Sequence, residues 1–200
     1  MLFMSIVCLF VTPFLELANL TDWWNPHFIF NTYPLYLEDL LFGFSLGGVA
    51  SALYSLLIDR FHIPSLIRPF SRIKKVIIIL IMLFLFYIPF HFLHMSSFWS
   101  EMLSCGIAIL LISFHLSFRS LLSMLLTGML LIIMITPGYF LGMYLNPGWI
   151  EEEWLLKGFA AFPVFGIPIA EFIFYMLVGL TIPSLQELLF NKNNLAYKEK

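Results

Sequence analysis

Six apolar runs, set apart by short polar or charged breaks, leave this chain few ways to fold. They cover approximately 2–18, 34–57, 74–94, 99–117, 120–145 and 164–189. A run of about twenty apolar residues is what a helix needs to cross the ~30 Å hydrocarbon core of a bilayer. The first run is the weakest, being short and carrying Pro13 and Glu16. The runs are continuous rather than alternating, which excludes a closed β-barrel, and in lipid only helices and closed barrels satisfy every backbone group. Composition agrees: 61% hydrophobic residues, 11% charged and a mean hydropathy of +0.95 are too oily for a soluble core of 200 residues. A cleaved signal peptide is not expected, because residues 1–10 contain no Lys or Arg. The expected architecture is therefore all-α: a polytopic transmembrane bundle of about six spans, forming one helical domain over 1–190, with a charged cytoplasmic tail at 191–200.

Charge orients the bundle. Arg60, Arg68, Arg72, Lys74 and Lys75 lie between spans two and three, Arg119 between four and five, and Lys192, Lys198 and Lys200 beyond span six. Trp23, Trp24, Trp99, Trp149 and Trp154 fall in the opposite connections, together with Glu151, Glu152, Glu153 and Lys157. Positive loops stay cytoplasmic and Trp favours the membrane interface, so both termini are expected inside, with the cytoplasmic membrane as the location. The net charge of -2 comes with no basic patch that would grip nucleic acid. Cys8 and Cys105 are isolated thiols within spans, expected to be inert rather than paired or metal-bound.

An acid recurs within this apolar setting. Asp39 is followed by Phe42 and Gly47, and Glu171 by Phe174 and Gly179, at the same intervals. Even on mild scales an ionisable group inside a span costs roughly 2.5 kcal/mol, so a repeated one marks a candidate site. Pro34 and Pro168 precede the two acids, and proline suits a helix's first turn, where its missing N–H is not needed. Asp39, Gly43, Gly47 and Ser51 recur every four residues as a small-residue stripe for close helix contact. Gly138 and Gly142 of span five, bent at Pro137, are the surface expected to receive it.

The segments Tyr36-Leu-Glu38-Asp39-Leu-Leu-Phe42 and Gly166-Ile-Pro168-Ile-Ala170-Glu171-Phe-Ile-Phe174 resemble the paired Pro-x-Glu-Glu motifs of the membrane-embedded lycopene cyclase domain family of carotenoid biosynthesis. Tyr36 stands at the first motif's proline and Ala170 at the second motif's first acid, so three of the four family carboxylates are present. Three spans separate the motifs where a three-helix repeat predicts two, so either one of the six spans is misassigned or the chain is a divergent member. The resemblance implies an isomerase, an intramolecular lyase type, that closes the end of an acyclic carotenoid into a ring with no cofactor and no redox change. It implies catalytic roles for Glu38, Asp39 and Glu171: Asp39 or Glu171 as the acid, Glu38 as its partner. Phe42, Pro168, Phe174 and Tyr175 would then lie against the substrate. A protonated carboxyl can start such a reaction, an ionised one can end it, and aromatic faces stabilise the carbocation between.

A competing reading makes these acids interhelical hydrogen-bonding groups of a non-catalytic protein that binds a polyisoprenoid or another lipid, or of a subunit in a larger assembly. Partners under both readings are the bilayer, a hydrophobic polyene and a homo- or hetero-oligomer. His91 and His94, one turn apart near Glu101, offer a weak metal motif that lacks a third fixed ligand, so no metal is expected. Phe90 to His94 fits the Phe-x-x-x-His pattern of membrane-embedded CAAX-type proteases, but Glu152-Glu153 follows that motif where those proteases place a diglutamate before it. Asn19-Leu-Thr21 forms a glycosylation sequon, a pattern too common to carry weight.

Overall fold

The computed structural model describes residues 1–26, 36–61 and 70–189. Pro34, Arg68, Lys192, Lys198, Lys200 and the tail at 191–200 lie outside these described residues. Among them are seven helices: α1 (Leu2–Asp22), α2 (Leu37–Phe61), α3 (Arg72–Phe92), α4 (Ser97–Ser113), α5 (Phe118–Leu145), the short α6 (Trp149–Glu153) and α7 (Ile169–Leu189). Five of these, α1, α2, α3, α5 and α7, are long and apolar enough to cross a membrane. The fourth expected span appears as α4, apolar but only 17 residues long. At ~1.5 Å per residue it reaches about 25 Å. The chain is an integral, multi-pass membrane protein.

Local chemistry sets the helix ends. Ser71 and Ser117 adopt extended backbone before α3 and α5, and their hydroxyls accept the N–H groups of Lys74 and Ser120. Lys75 Nζ donates to the Leu189 carbonyl at 3.2 Å, so a cation closes the C-terminal end of α7. At the opposite end of the bundle Asp22, the last residue of α1, accepts from the Ser97 backbone N–H at 2.9 Å and from its hydroxyl, which ties α1 to the start of α4.

The tightest pairs are α1 with α2, α3 with α4, and α5 with α7, in each case neighbours in sequence once the short α6 is set aside. The recurrence of acid and glycine has a geometric counterpart in two of them. Gly47 presses α2 onto Met4 and Cys8 of α1, and Gly179 presses α7 onto Gly128 of α5. Each glycine, eight residues past its acid, marks a close approach to the preceding long helix. This corrects the expected docking of the α2 stripe on Gly138 and Gly142 of α5. The stripe residues Gly43 and Gly47 face Thr12, Cys8 and Met4, whereas Gly138 has open space beside it and Gly142 abuts the Trp149 ring. Lower in the stripe, Ser51 Oγ donates to Gln186 Oε1 of α7 at 2.7 Å.

The sixth run is not helical throughout. Residues 163–168 form a minimal hairpin, β1 (Pro163–Val164) against β2 (Ile167–Pro168), and α7 starts only at Ile169. Phe165 and Gly166 turn the chain with φ of 55° and 83°, the left-handed pair a two-residue hairpin requires. Pro168 therefore pairs in a strand rather than occupying the helix's first turn. Side chains such as Leu80 and Phe84 of α3 and Ile133 of α5 point outward into the lipid zone. The core runs from Met124, Tyr54 and Leu188 at the cationic end to Trp23, Phe98 and Ala170 at the tryptophan end.

Candidate functional site

Two strand-like segments close the tryptophan end and aim its indoles inward. The Asn19 carbonyl accepts from the backbone N–H groups of Trp23 and Trp24, which winds down α1. Beyond it, Asn25 N donates to the Glu153 carbonyl at 2.7 Å and Leu155 N to the Trp23 carbonyl at 2.8 Å. This antiparallel bridge between Trp24 and Trp154 joins the chain after α1 to the chain after α6. Rings far apart in sequence thereby share one wall.

Glu171, in the first turn of α7 and 7% exposed, is the anchor of that wall. Its Oε1 accepts from the indole N–H groups of Trp23 and Trp154, both at 2.7 Å, and its Oε2 accepts from the Tyr139 hydroxyl. Both carboxyl oxygens are thus held as acceptors in a fixed orientation. Tyr175, one turn further along α7, lies beside Tyr139. These groups border a cavity of about 280 Å³, where eight of the thirteen lining residues are aromatic, enough to surround a bound molecule with π faces.

A second carboxyl, Glu16 of α1, lines the same cavity and accepts from the Trp24 indole N–H. Asn19, one turn on, donates through Nδ2 to Oε1 of Glu101 on α4 at 3.4 Å. Glu16, Asn19 and Glu101 are 5%, 7% and 6% exposed, so three polar groups from two helices meet inside the bundle. Below them lies a second cavity of about 360 Å³, bordered by α1, α2, α3, α4 and α7 and lined chiefly by apolar side chains. Glu16, Asn19, Phe42 and Phe174 border both cavities and form the partition between them.

Of the residues singled out in the sequence, the structure gathers Phe42, Glu171, Phe174 and Tyr175 around the first cavity. Asp39 is buried in the first turn of α2 and Glu38 is half-buried beside it, and neither lines either cavity. Pro168 is buried in β2, also away from both. The tryptophans do gather at one end, but Trp23, Trp24, Trp149 and Trp154 line the cavity, and only Trp99, 48% exposed, has the outward setting of an interfacial anchor. Sequence reading passed over Glu16, Asn19, Tyr139 and Glu101 as site residues. The signal for the first two was present: Glu16, Asn19 and Trp23 recur at helical spacing on one face of α1.

Three weaker motifs also receive their placement. His91 and His94 are exposed, and no group of three or more His, Cys, Asp or Glu side chains that could hold a metal occurs among the described residues. Asn19 of the sequon is buried within α1 and not presented for glycosylation. Cys8 and Cys105 are free thiols, both bordering the second cavity. No protein family, curated protein or solved structure matches this chain.

Proposed function

We propose that this protein is an intramembrane isomerase that cyclises the end of an acyclic polyene by acid–base chemistry, in the manner of the lycopene cyclase domain family its motifs resemble. The observation that carries this reading is Glu171: a carboxyl fixed by three donors on the wall of an aromatic cavity, within helices that cross a membrane. Cyclisation begins when a proton adds to a terminal double bond. The resulting carbocation is attacked by a neighbouring double bond, which closes the ring, and loss of a ring proton to a base restores a double bond. Substrate and product are isomers. Glu171 suits the basic and electrostatic part of this sequence, since its oxygens are pre-oriented and need no reorganisation as positive charge develops. The rings of Phe42, Phe174 and Trp154 supply π faces for that charge and keep water from capturing it.

One observation favours a second reading, a non-catalytic carrier of a polyisoprenoid. The three bonds to Glu171 also satisfy a buried acid completely, which is what a structural role asks of it. Expression in cells that accumulate lycopene separates the two. The isomerase converts the red pigment to a yellow or orange cyclised product without added flavin or nicotinamide, and Glu171→Gln abolishes the conversion because an amide cannot take the ring proton. A carrier retains unchanged red pigment through purification. Folded wild-type protein that yields only unchanged pigment, with any companion subunit supplied, removes the catalytic reading.

A further inference from the structure

Besides Glu171, two acids outside the repeated motif face the substrate space, Glu16 and Glu101. The Asn19 amide is bonded to both Glu16 and Glu101. Asn19 is 7% exposed and borders both cavities, yet among the described residues its Oδ1 has no hydrogen-bond partner. A buried acceptor left without a donor costs ~1–3 kcal/mol. The groups around it cannot supply one as carboxylates, because an ionised carboxylate only accepts. Among the described residues no Lys, Arg or His lines either cavity, and the charged groups facing the pair, Asp39, Asp22 and Glu171, are themselves acids. With no cation to partner two carboxyls, and with an acceptor lacking a donor between them, the missing component is a proton.

We propose that Glu16, Asn19 and Glu101 form a proton-holding site, with one carboxylic O–H donating to Asn19 Oδ1, and that this site delivers the proton to a double bond of an unsaturated hydrocarbon chain threaded between the two cavities. The second cavity suits the rest of such a chain. It adjoins the first at Phe42 and Phe174, lies within the span of the helices, and is lined mainly by side chains such as Leu46, Leu83, Phe86 and Val178. Delivery breaks the carboxyl O–H bond and uses the alkene's π pair to form a new C–H bond. The ring proton lost afterwards to Glu171 restores the balance, so no oxidant or reductant is needed. The delivery step rests on the cyclisation reading, whereas the proton-holding site does not.

Infrared spectroscopy of the purified protein in bilayers tests the site without substrate. The wild type shows a protonated-carboxyl C=O band. Glu16→Gln and Glu101→Gln each reduce or shift it, and Asn19→Val moves it to higher frequency by removing the acceptor. Asn19→Val leaves both carboxyls in place, which keeps the test open if a Glu→Gln variant fails to fold. A band insensitive to all three changes, or no such band, overturns the site whatever the pigment assay shows. In lycopene-accumulating cells, Glu16→Gln or Glu101→Gln should lower conversion at least ~100-fold at equal folded protein, while Trp99→Phe, at an exposed ring outside both cavities, retains most of it. Conversion within a few-fold of wild type in both Glu variants overturns delivery from this site. A wild type that converts nothing but shows the Asn19-sensitive band removes the cyclisation reading and leaves the proton-holding site standing.

Discussion

Replacing Gly179 with alanine places one methyl group where the structure has no room. The new Cβ would stand 2.2 Å from Gly128 Cα and 2.3 Å from Gly128 N, against an ordinary contact of 3.4–4 Å. Those obstructing atoms are backbone, so no rotamer change relieves the clash, and α7 must part from α5 by roughly 1 Å. A gap of that size forfeits a quarter to a half of each dispersion contact along the seam. In lipid no hydrophobic force compensates, since tails are as apolar as side chains. Overpacking of this kind costs ~2–3 kcal/mol, or about 5–10 °C in apparent Tm for a chain of this size. The reciprocal change, Gly128→Ala, meets first the Met176 Sδ at 2.6 Å, the movable end of a flexible side chain, and should cost less. Gly106→Ala meets nothing within 4 Å and should be neutral or gain up to ~1 kcal/mol of helix propensity. Thermal unfolding in detergent, followed by size-exclusion recovery, should order the three variants Gly179→Ala, Gly128→Ala, Gly106→Ala from least to most stable. A Gly179→Ala protein as stable as wild type would refute the glycine contact between α5 and α7.

Cysteines introduced at Arg60 or Ser71 should react only with membrane-permeant reagents, while cysteines at Trp24 or Asn25 react with impermeant ones; reversed labelling would discard the orientation inferred from the cations. Trp23→Phe and Trp154→Phe each remove one 2.7 Å donor bond to Glu171 and should lower stability by ~1.5–3 kcal/mol, the scale of a hydrogen bond to a charged group, whereas Trp99→Phe, 48% exposed, should change little. Equal melting temperatures for all three would show that Glu171 does not depend on its indoles. Phe165→Asn should preserve or raise stability by up to ~1 kcal/mol, since Asn tolerates the left-handed backbone that Phe165 adopts at φ 55°; a loss above that in the same thermal assay would assign the Phe165 ring a packing role.

Much of this protein could be read from its chain because the bilayer imposes a one-dimensional rule: enough apolar residues in a row make a spanning helix. The positions of α1, α2, α3 and α5 follow from that rule within a few residues, and among the described residues the tryptophans gather at one end and every cation but Lys157 at the other. The recurrence of acid and glycine was legible too, because fixed intervals survive in sequence. What the sequence did not determine was which faces meet. Hydropathy cannot choose between α1 and α5 as the partner of the α2 stripe, and only the hairpin geometry assigns Gly47 to Met4 and Cys8. Nor does periodicity show that residues 163–168 turn back on themselves before α7, since Val164 and Ile167 are as apolar as a helix's own residues. The candidate site is the clearest case. Glu171, Tyr139, Trp23 and Trp154 come from widely separated segments, and Asn19 meets Glu101 across 82 positions. In lipid each polar side chain needs a partner inside the protein, but the identity of that partner depends on distances through space, which only the packed bundle decides.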